Sequence, residues 1–322
     1  MNVLAVDVGG TTIAAAAVTD AGEVLHERQM PTHAGGPGGV LATIEALLDG
    51  LRVDAAALVP VAIGVGIPAI VDAEHGRIGE EAHNVPELAG LPLAEILSRR
   101  CSLPAFVDND VNALALAEWR FGAARGARSL VVLAAGTGFG SGIVIDERLV
   151  RGARGFGAEL GHVPVKFDGR ACWCGGRGCL AVYASGRGIA EAARAVASGA
   201  SGRALLAAAG GDAARIDAPL VFRLAAGSDA AAAAIIDEAC RALGAMLGVV
   251  VNGLNPEVVV ITGGVAASFV ALEKRVLAAA ADHAFARALA TTRITIVPGD
   301  KHLSRRGAAA LAFHELEQRR PP

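Results

Sequence analysis

At 322 residues the chain is long enough for two domains, each with its own core. Hydrophobic residues make up 53 % and charged residues 19 %, the reverse of the balance that keeps a chain disordered. A net charge of −3 offers no global attraction to nucleic acid or to an anionic membrane, and neither is expected as a partner.

The arginine pairs Arg305-Arg306 and Arg319-Arg320 read as a solvated helix face. The N-terminus lacks a basic stretch and places Asp7 inside its first apolar run, so no targeting segment is expected. The best candidate for a membrane span, Ala230 to Val251, is interrupted by Asp237, Glu238 and Arg241 and reads as a buried helix. Of the 5 cysteines, three fall between positions 172 and 179, unlike a secreted disulfide framework. A reducing cytoplasm is the expected setting.

Val3 to Val8 is a short apolar strand ended by Gly9-Gly10-Thr11-Thr12, and Ile13 to Val18 returns as a β-hairpin. A helix is expected from about Val40 to Leu51, with Val40, Leu41, Ile44, Leu47, Leu48 and Leu51 on one face. Val61 to Val65 is a strand broken by Gly66-Ile67-Pro68. Pro104 to Val107 leads into Asp108-Asn109-Asp110, and helical spacing runs from Val111 to about Phe121, with Asp110 placed to cap it. Ser129 to Ala135 is a strand, Gly136-Thr137-Gly138-Phe139-Gly140 a turn, and Ile143 to Ile145 the returning strand. This repeats the unit seen from Leu4 to Asp20 and implies two related halves. A third turn, Thr262-Gly263-Gly264, follows the strand Val258 to Ile261. Each turn lies at a strand end, where open α/β sheets place their ligands. The chain closes with a strand from Ile294 to Val297 and an amphipathic helix from about Ser304 to Gln318.

Phosphate groups need several backbone N–H donors converging at close range; glycine removes side-chain obstruction and threonine adds a hydroxyl. One such turn is weak evidence. A duplicated turn with a third after a late strand points to nucleotide binding. Asp7, just before the first turn, can hold Mg²⁺ through water or serve as a hairpin-end carboxylate satisfied by backbone. Asp110, at a strand-to-helix junction, is read locally as a helix cap or as a base for an alcohol.

His162, Cys172, Cys174 and Cys179 are spaced His-x9-Cys-x-Cys-x4-Cys on a glycine-rich loop, the donor set of a closed tetrahedral zinc site. The zinc is expected to be structural, and holding His162 also fixes the backbone that presents Glu159. Cys101 and Cys240 read as core residues.

Together these residues resemble the ROK family (repressors, open reading frames and sugar kinases), in particular its bacterial glucokinase-like members, essentially from end to end. Asp7-Val8-Gly9-Gly10-Thr11 is similar to the family's first phosphate motif, with Thr12 following. Gly136-Thr137-Gly138-Phe139-Gly140 resembles the second, and Gly263-Gly264-Val265 the late adenosine-side motif. Asn109-Asp110-Val111-Asn112-Ala113 resembles the catalytic signature, whose aspartate is the general base. Glu159-Leu160-Gly161-His162 and the Cys172 to Cys179 run resemble the paired sugar and zinc signatures.

The resemblance implies an α/β, actin-like and ribonuclease H-like ATPase fold with two domains and a cleft between them. The small domain is expected at 1–110 plus about 304–322. The large domain is expected at about 111–303, carrying the zinc loop 162–179. Sugar and ATP-Mg²⁺ would meet in the cleft. Asp110 would take the proton of a primary hydroxyl, and Asn109, Glu159 and His162 would hold other parts of the ring. Family members commonly form dimers, so a homodimer is expected.

Three positions depart from the family pattern. Ala181 stands where a sugar-binding glutamate is usual, Ala69 follows Pro68 where glycine is usual, and His83 precedes Asn84 where proline is usual. These put the far side of the sugar pocket in question. A lost charged partner costs about 1.5–3 kcal/mol when the ligand hydroxyl is still present. Amino-sugars such as kanosamine or N-acetylmannosamine, and C7-cyclitols, are therefore alternatives to glucose. A sugar-sensing repressor would carry a DNA-binding segment ahead of its first phosphate motif, which here begins at Asp7, and is not expected. Ala181 would also fit a silent sugar-binding protein, which retention of Asp110 argues against. Gly263-Gly264 favours a nucleoside donor over polyphosphate.

Overall fold

The computed structural model describes residues 1–36, 39–300 and 302–319. Arg320, part of the expected arginine-bearing face, lies outside them, as do Lys301 and the last two residues of the expected small domain.

The first hairpin forms where its glycine and threonine turn places it. β1 (Asn2–Val8) and β2 (Thr12–Thr19) pair antiparallel, with Val8 opposite Ile13. β3 (Val24–Pro31) adds to β2 as an edge strand whose His26, Glu27, Arg28 and Gln29 are exposed, so no apolar run announces it. α1 (Gly39–Asp54) buries the expected face. β4 (Ile63–Ile67) continues through the expected break at Gly66-Ile67 and stops at Pro68, which has no N–H for a ladder. A small hairpin, β5 (Val71–Asp72) and β6 (Arg77–Ile78), precedes α2 (Leu93–Cys101), β7 (Ala105–Asn109) and α3 (Asp110–Arg120). The sheet order is β3-β2-β1-β4-β7, with β1, β4 and β7 parallel.

The second half repeats the scheme with β8 (Leu130–Ala135), β9 (Phe139–Ile145) and β10 (Arg148–Leu149). Helices follow: α4 (Ala181–Ala184), α5 (Gly186–Ala197), α6 (Arg203–Ala208), α7 (Ala218–Ala226) and α8 (Ala230–Leu254). Next come β11 (Val258–Thr262), α9 (Ala266–Phe269), α10 (Glu273–Ala281), α11 (Ala286–Thr291), β12 (Arg293–Ile296) and α12 (Leu303–Gln318). This sheet has the order β10-β9-β8-β11-β12, position for position the order of the first, with β8, β11 and β12 parallel.

The chain forms two compact units, one of 1–128, 142–158 and 300–322, the other of 129–141 and 159–299. The first takes in α3 and the return segment 142–158, both assigned by sequence to the large domain. The reason is packing: α12 lies against α3, β1 and β4. Glycine permits the close approach, since a Cβ at Gly307 would sit 2.9 Å from the Ala113 carbonyl. Instead of presenting one apolar face, α12 is buried continuously from Gly307 to His314. In α8, Asp237 and Glu238 are directed to ion pairs with Arg275 and Lys166 while the opposite face is core. Among the described residues no helix is long and apolar enough to cross a membrane.

Candidate active site

In the first unit the strand register aligns three residues. Asp7 on β1 lies opposite Gly66 on β4, and Gly66 lies opposite Asp108 on β7. At about 4.8 Å per strand, Asp7 and Asp108 are about 10 Å apart at one end of one sheet. The chain leaves β7 through Asn109 and enters α3 at Asp110. The N-cap is Asn109: its side-chain oxygen accepts the N–H groups of Val111 at 2.8 Å and Asn112 at 3.3 Å. This corrects the expectation that Asp110 caps the helix. Asn109 has extended backbone and an acceptor of the right reach, which leaves Asp110 as the first helical residue. Asp110 Oδ1 accepts the Val111 N–H at 2.9 Å, and its carboxylate stands at the positive end of α3.

A further candidate is drawn to this turn. The Asn109 amide donates to the Ala69 carbonyl at 3.2 Å, so Ala69 fixes the Asn109 side chain through its backbone and one amide hydrogen is left for a ligand. A Cβ at Gly66 would touch Asp110 at 3.5 Å, a neighbour that its strand position alone does not reveal.

The first glycine turn is tight and open to solvent. Gly9 N–H bonds Thr12 O at 3.0 Å, and a Cβ at Gly9 would sit 2.7 Å from that oxygen, which is the physical need for glycine there. Gly10, Thr11 and Thr12 are exposed. Asn84, exposed like His83, comes within 4.0 Å of the Cβ position of Gly10. Burial pushes the Asp7 carboxyl above its usual range, opposed by a Ser304 hydrogen bond and the Arg305 charge. A carboxylate held this way, beside an open turn of backbone and hydroxyl groups, fits a hydrated divalent cation on a phosphate chain.

In the second unit the turn is shorter than expected. β9 begins at Phe139, so Gly140 lies in the strand and Gly136 to Gly138 make the bend, closed by Gly136 N–H to Gly138 O at 3.0 Å. Gly263, with φ +108°, turns the chain after β11 beside it; Val265 N–H bonds Ala135 O at 2.9 Å, and Gly264 lies between. Both turns meet the start of α5. Gly186 N–H donates to Gly136 O and Arg187 N–H to Thr137 O, and a Cβ at Gly186 would touch Val265. Sequence reasoning missed this element; Ser185-Gly186-Arg187-Gly188, with Ser185 capping through Gly188 N–H, was its available signal. The hydroxyl of Thr262, fully buried at the end of β11, has no hydrogen-bond partner among the described residues.

Glu159 is exposed and begins a single helical turn, Leu160–His162. Ser141 on β9 accepts the Leu160 N–H at 3.0 Å and so pins this turn to the strand. His162 and the three cysteines converge, with all four ligand atoms within 4.8 Å of one another. His162 Nδ1 lies 3.6 Å from Cys172 Sγ, and Cys174 Sγ lies 3.7 Å from Cys179 Sγ. Zinc bonds of ordinary length meeting tetrahedrally require about 3.6 Å between nitrogen and sulfur and about 3.8 Å between sulfurs. The site therefore fits a structural zinc held by His162, Cys172, Cys174 and Cys179. Positive φ at Gly175 and Gly178 folds the loop around it. The Nδ1 contact leaves Nε2 of His162 available to another partner. Cys101 and Cys240 are buried, and burial pushes the Cys240 thiol up to about 11.

The sequence model of the ROK family matches residues 3–315. The chain belongs to the ROK family. It is 36 % identical over 266 residues to a glucokinase of Halalkalibacterium halodurans, covering 81 % of this chain and 79 % of that one. Among solved structures it is similar to a ROK hexokinase from Thermus thermophilus, with TM-score 0.80 and 31 % identity, covering 99 % of this chain and 100 % of that chain. It is also similar to a ROK family glucokinase from Streptomyces griseus in complex with glucose and AMPPNP, with TM-score 0.74 and 30 % identity over 97 % of this chain and 99 % of that chain. The duplicated sheets are thus those of the actin-like ATPase fold that the motifs implied.

Protein purified without chelator should carry one zinc per chain, and stripping it should lower Tm until zinc is restored. Metal-free protein of unchanged Tm would contradict the site. Asp7→Asn should raise Tm at pH 7, because burial disfavours the ionised carboxyl of the fold. The gain should fade below about pH 4, where the acid is protonated folded and unfolded alike. A lowered Tm at pH 7, measured by thermal denaturation across pH, would contradict this.

Proposed function

We propose that the chain is an ATP-dependent sugar kinase that phosphorylates the primary, 6-type hydroxyl of a hexose or hexose-like substrate. The single observation that carries the reading is the division of labour at the start of α3. Asn109 is the N-cap, and the Asp110 carboxylate, which shares the Val111 N–H through Oδ1, is held on a rigid helix end. Asp110 is the base: it takes the proton from the hydroxyl while that oxygen forms a bond to the γ-phosphorus. The bond between the γ-phosphorus and the bridging oxygen breaks, and ADP leaves with the electron pair.

The residues assigned to the nucleotide are Gly9, Gly10, Thr11 and Thr12, together with Gly136, Thr137, Gly138, Gly263 and Gly264. Asp7 would hold Mg²⁺ through water; when bound, the ion supplies screening of the phosphate charge. Glu159 and the free Nε2 of His162 orient ring hydroxyls, as do Asn109 and Asn84. His162, Cys172, Cys174 and Cys179 keep that sugar-facing turn stiff. A homodimer and a cytoplasmic setting belong to the same reading.

A second reading of the substrate rests on Ala181, which is 1 % exposed at the start of α4 and offers a methyl group where a carboxylate would bind sugar hydroxyls. A modified sugar or a C7-cyclitol would lack the need for that partner.

Asp110→Asn should lower kcat by about 10²- to 10⁴-fold while sugar binding, followed by calorimetry, persists. Wild-type turnover in that variant would remove Asp110 from its role. The same ATP-consumption assay over glucose, mannose, N-acetylmannosamine, glucosamine, kanosamine and valiolone-type cyclitols separates the two readings. Glucose as best substrate would sink the second.

A further inference from the structure

Asp108 is 2 % exposed and takes no part in the reaction as proposed, yet each of its oxygens is engaged. Oδ1 accepts the Asn109 backbone N–H at 2.7 Å and the Asn112 side-chain amide at 2.9 Å. It thereby ties the last residue of β7 to the first turn of α3, across the position of Asp110. Oδ2 accepts from Nε of Arg151 at 2.6 Å. The same guanidinium donates from Nη2 to Glu315 of α12 at 2.6 Å. Arg151 is itself largely buried, with a side chain 26 % exposed, so the three charges form a network that water screens weakly.

We propose that Arg151 is a positioning residue for the phosphoryl-transfer turn, acting on Asp110 through Asp108. This rests on the reading of Asp110 as the base. A planar guanidinium bridging two carboxylates fixes the rotation of the Asp108 side chain as no single point charge would. It also gives the buried Asp108 side chain a partner of opposite charge at hydrogen-bond distance. Without it, the Asp108 side chain is free to turn toward solvent, and the Asn109 N–H and Asn112 amide lose their shared acceptor. The cap on α3 then loosens at the residue preceding the base. Misplacement of a catalytic group by about 1 Å costs on the order of 10²-fold in rate. Arg151 touches neither sugar nor nucleotide in this account, so its removal acts chiefly on turnover, leaves ATP binding alone and reaches the sugar only through Asn109.

The test uses the full zinc-loaded chain with its best sugar, assayed well below the lowest Tm in the set. Arg151→Gln should lower kcat on the order of 10²-fold with KM for ATP within about twofold. Arg151→Lys, which keeps the charge but not the fork, should recover part of that loss. Arg151→Gln with wild-type kcat and a lowered Tm would make the network purely structural and overturn the proposal. So would a raised KM at wild-type kcat. Should Arg151→Gln not fold, Arg151→Lys decides: a several-fold lower kcat at unchanged KM for ATP supports the proposal, and wild-type kcat overturns it. Asp110→Asn in the same series separates the two claims. If it retains turnover, the base reading fails and this inference falls with it. If it loses turnover while Arg151→Gln does not, the positioning role alone fails.

Discussion

The rest of the site depends on which residue satisfies the first free N–H groups of α3. A helix end leaves several donors without intrahelical partners, and some acceptor must meet them. Here Asn109 does so with its side-chain oxygen while its amide anchors to Ala69. An amide can serve this double purpose because it carries both an acceptor and donors; a carboxylate in that place would offer only acceptors. The neighbouring position is thereby available to Asp110, which is carried by the helix and faces its positive end. Asp108, one residue earlier, holds the same turn from beneath. Three consecutive polar residues therefore have separate tasks: one braces, one caps, and one is proposed to react.

The two units are built by the same route. Each has a five-strand order in which a hairpin is followed by parallel strands, and each puts its glycine turns at the ends of those strands. In the first unit the row Asp7, Gly66, Asp108 collects charge at one sheet end. In the second, the bends after β8 and β11 meet at the head of α5, where peptide N–H groups and close backbone approach come together. The metal loop serves a different need. The Glu159–His162 turn is a single helical turn, too short to hold itself, and it is secured on one side by Ser141 and on the other by the His162 donor set.

Much of this was legible in the sequence wherever hydropathy and glycine coincided. β1, β8 and β11 are apolar runs stopped by glycine, β2 is an apolar run that follows a glycine turn, and the four metal donors announce themselves by element type and spacing. What was not legible has physical causes. β3 is an edge strand with a polar, solvated stretch and thus lacks an apolar signature. α6 is a single short run of six residues, and α5 opens on glycines that read as a turn rather than a helix start. The cap was misassigned because asparagine and aspartate are near-equal caps, and only backbone conformation decides between neighbours. α12 was read as amphipathic, but contact with α3 and the sheet buries it throughout its middle. The return of 142–158 to the first unit is a tertiary event that local periodicity cannot carry.

The most direct measurement is a crystal structure of the chain with its best sugar and a non-hydrolysable ATP analogue bound. The account predicts the primary hydroxyl of the sugar within about 3 Å of the Asp110 carboxylate, with Asn109 still bonded to the N–H groups of Val111 and Asn112. A sugar whose primary hydroxyl points away from Asp110, or an Asp110 side chain that has swung round to cap α3, would contradict it.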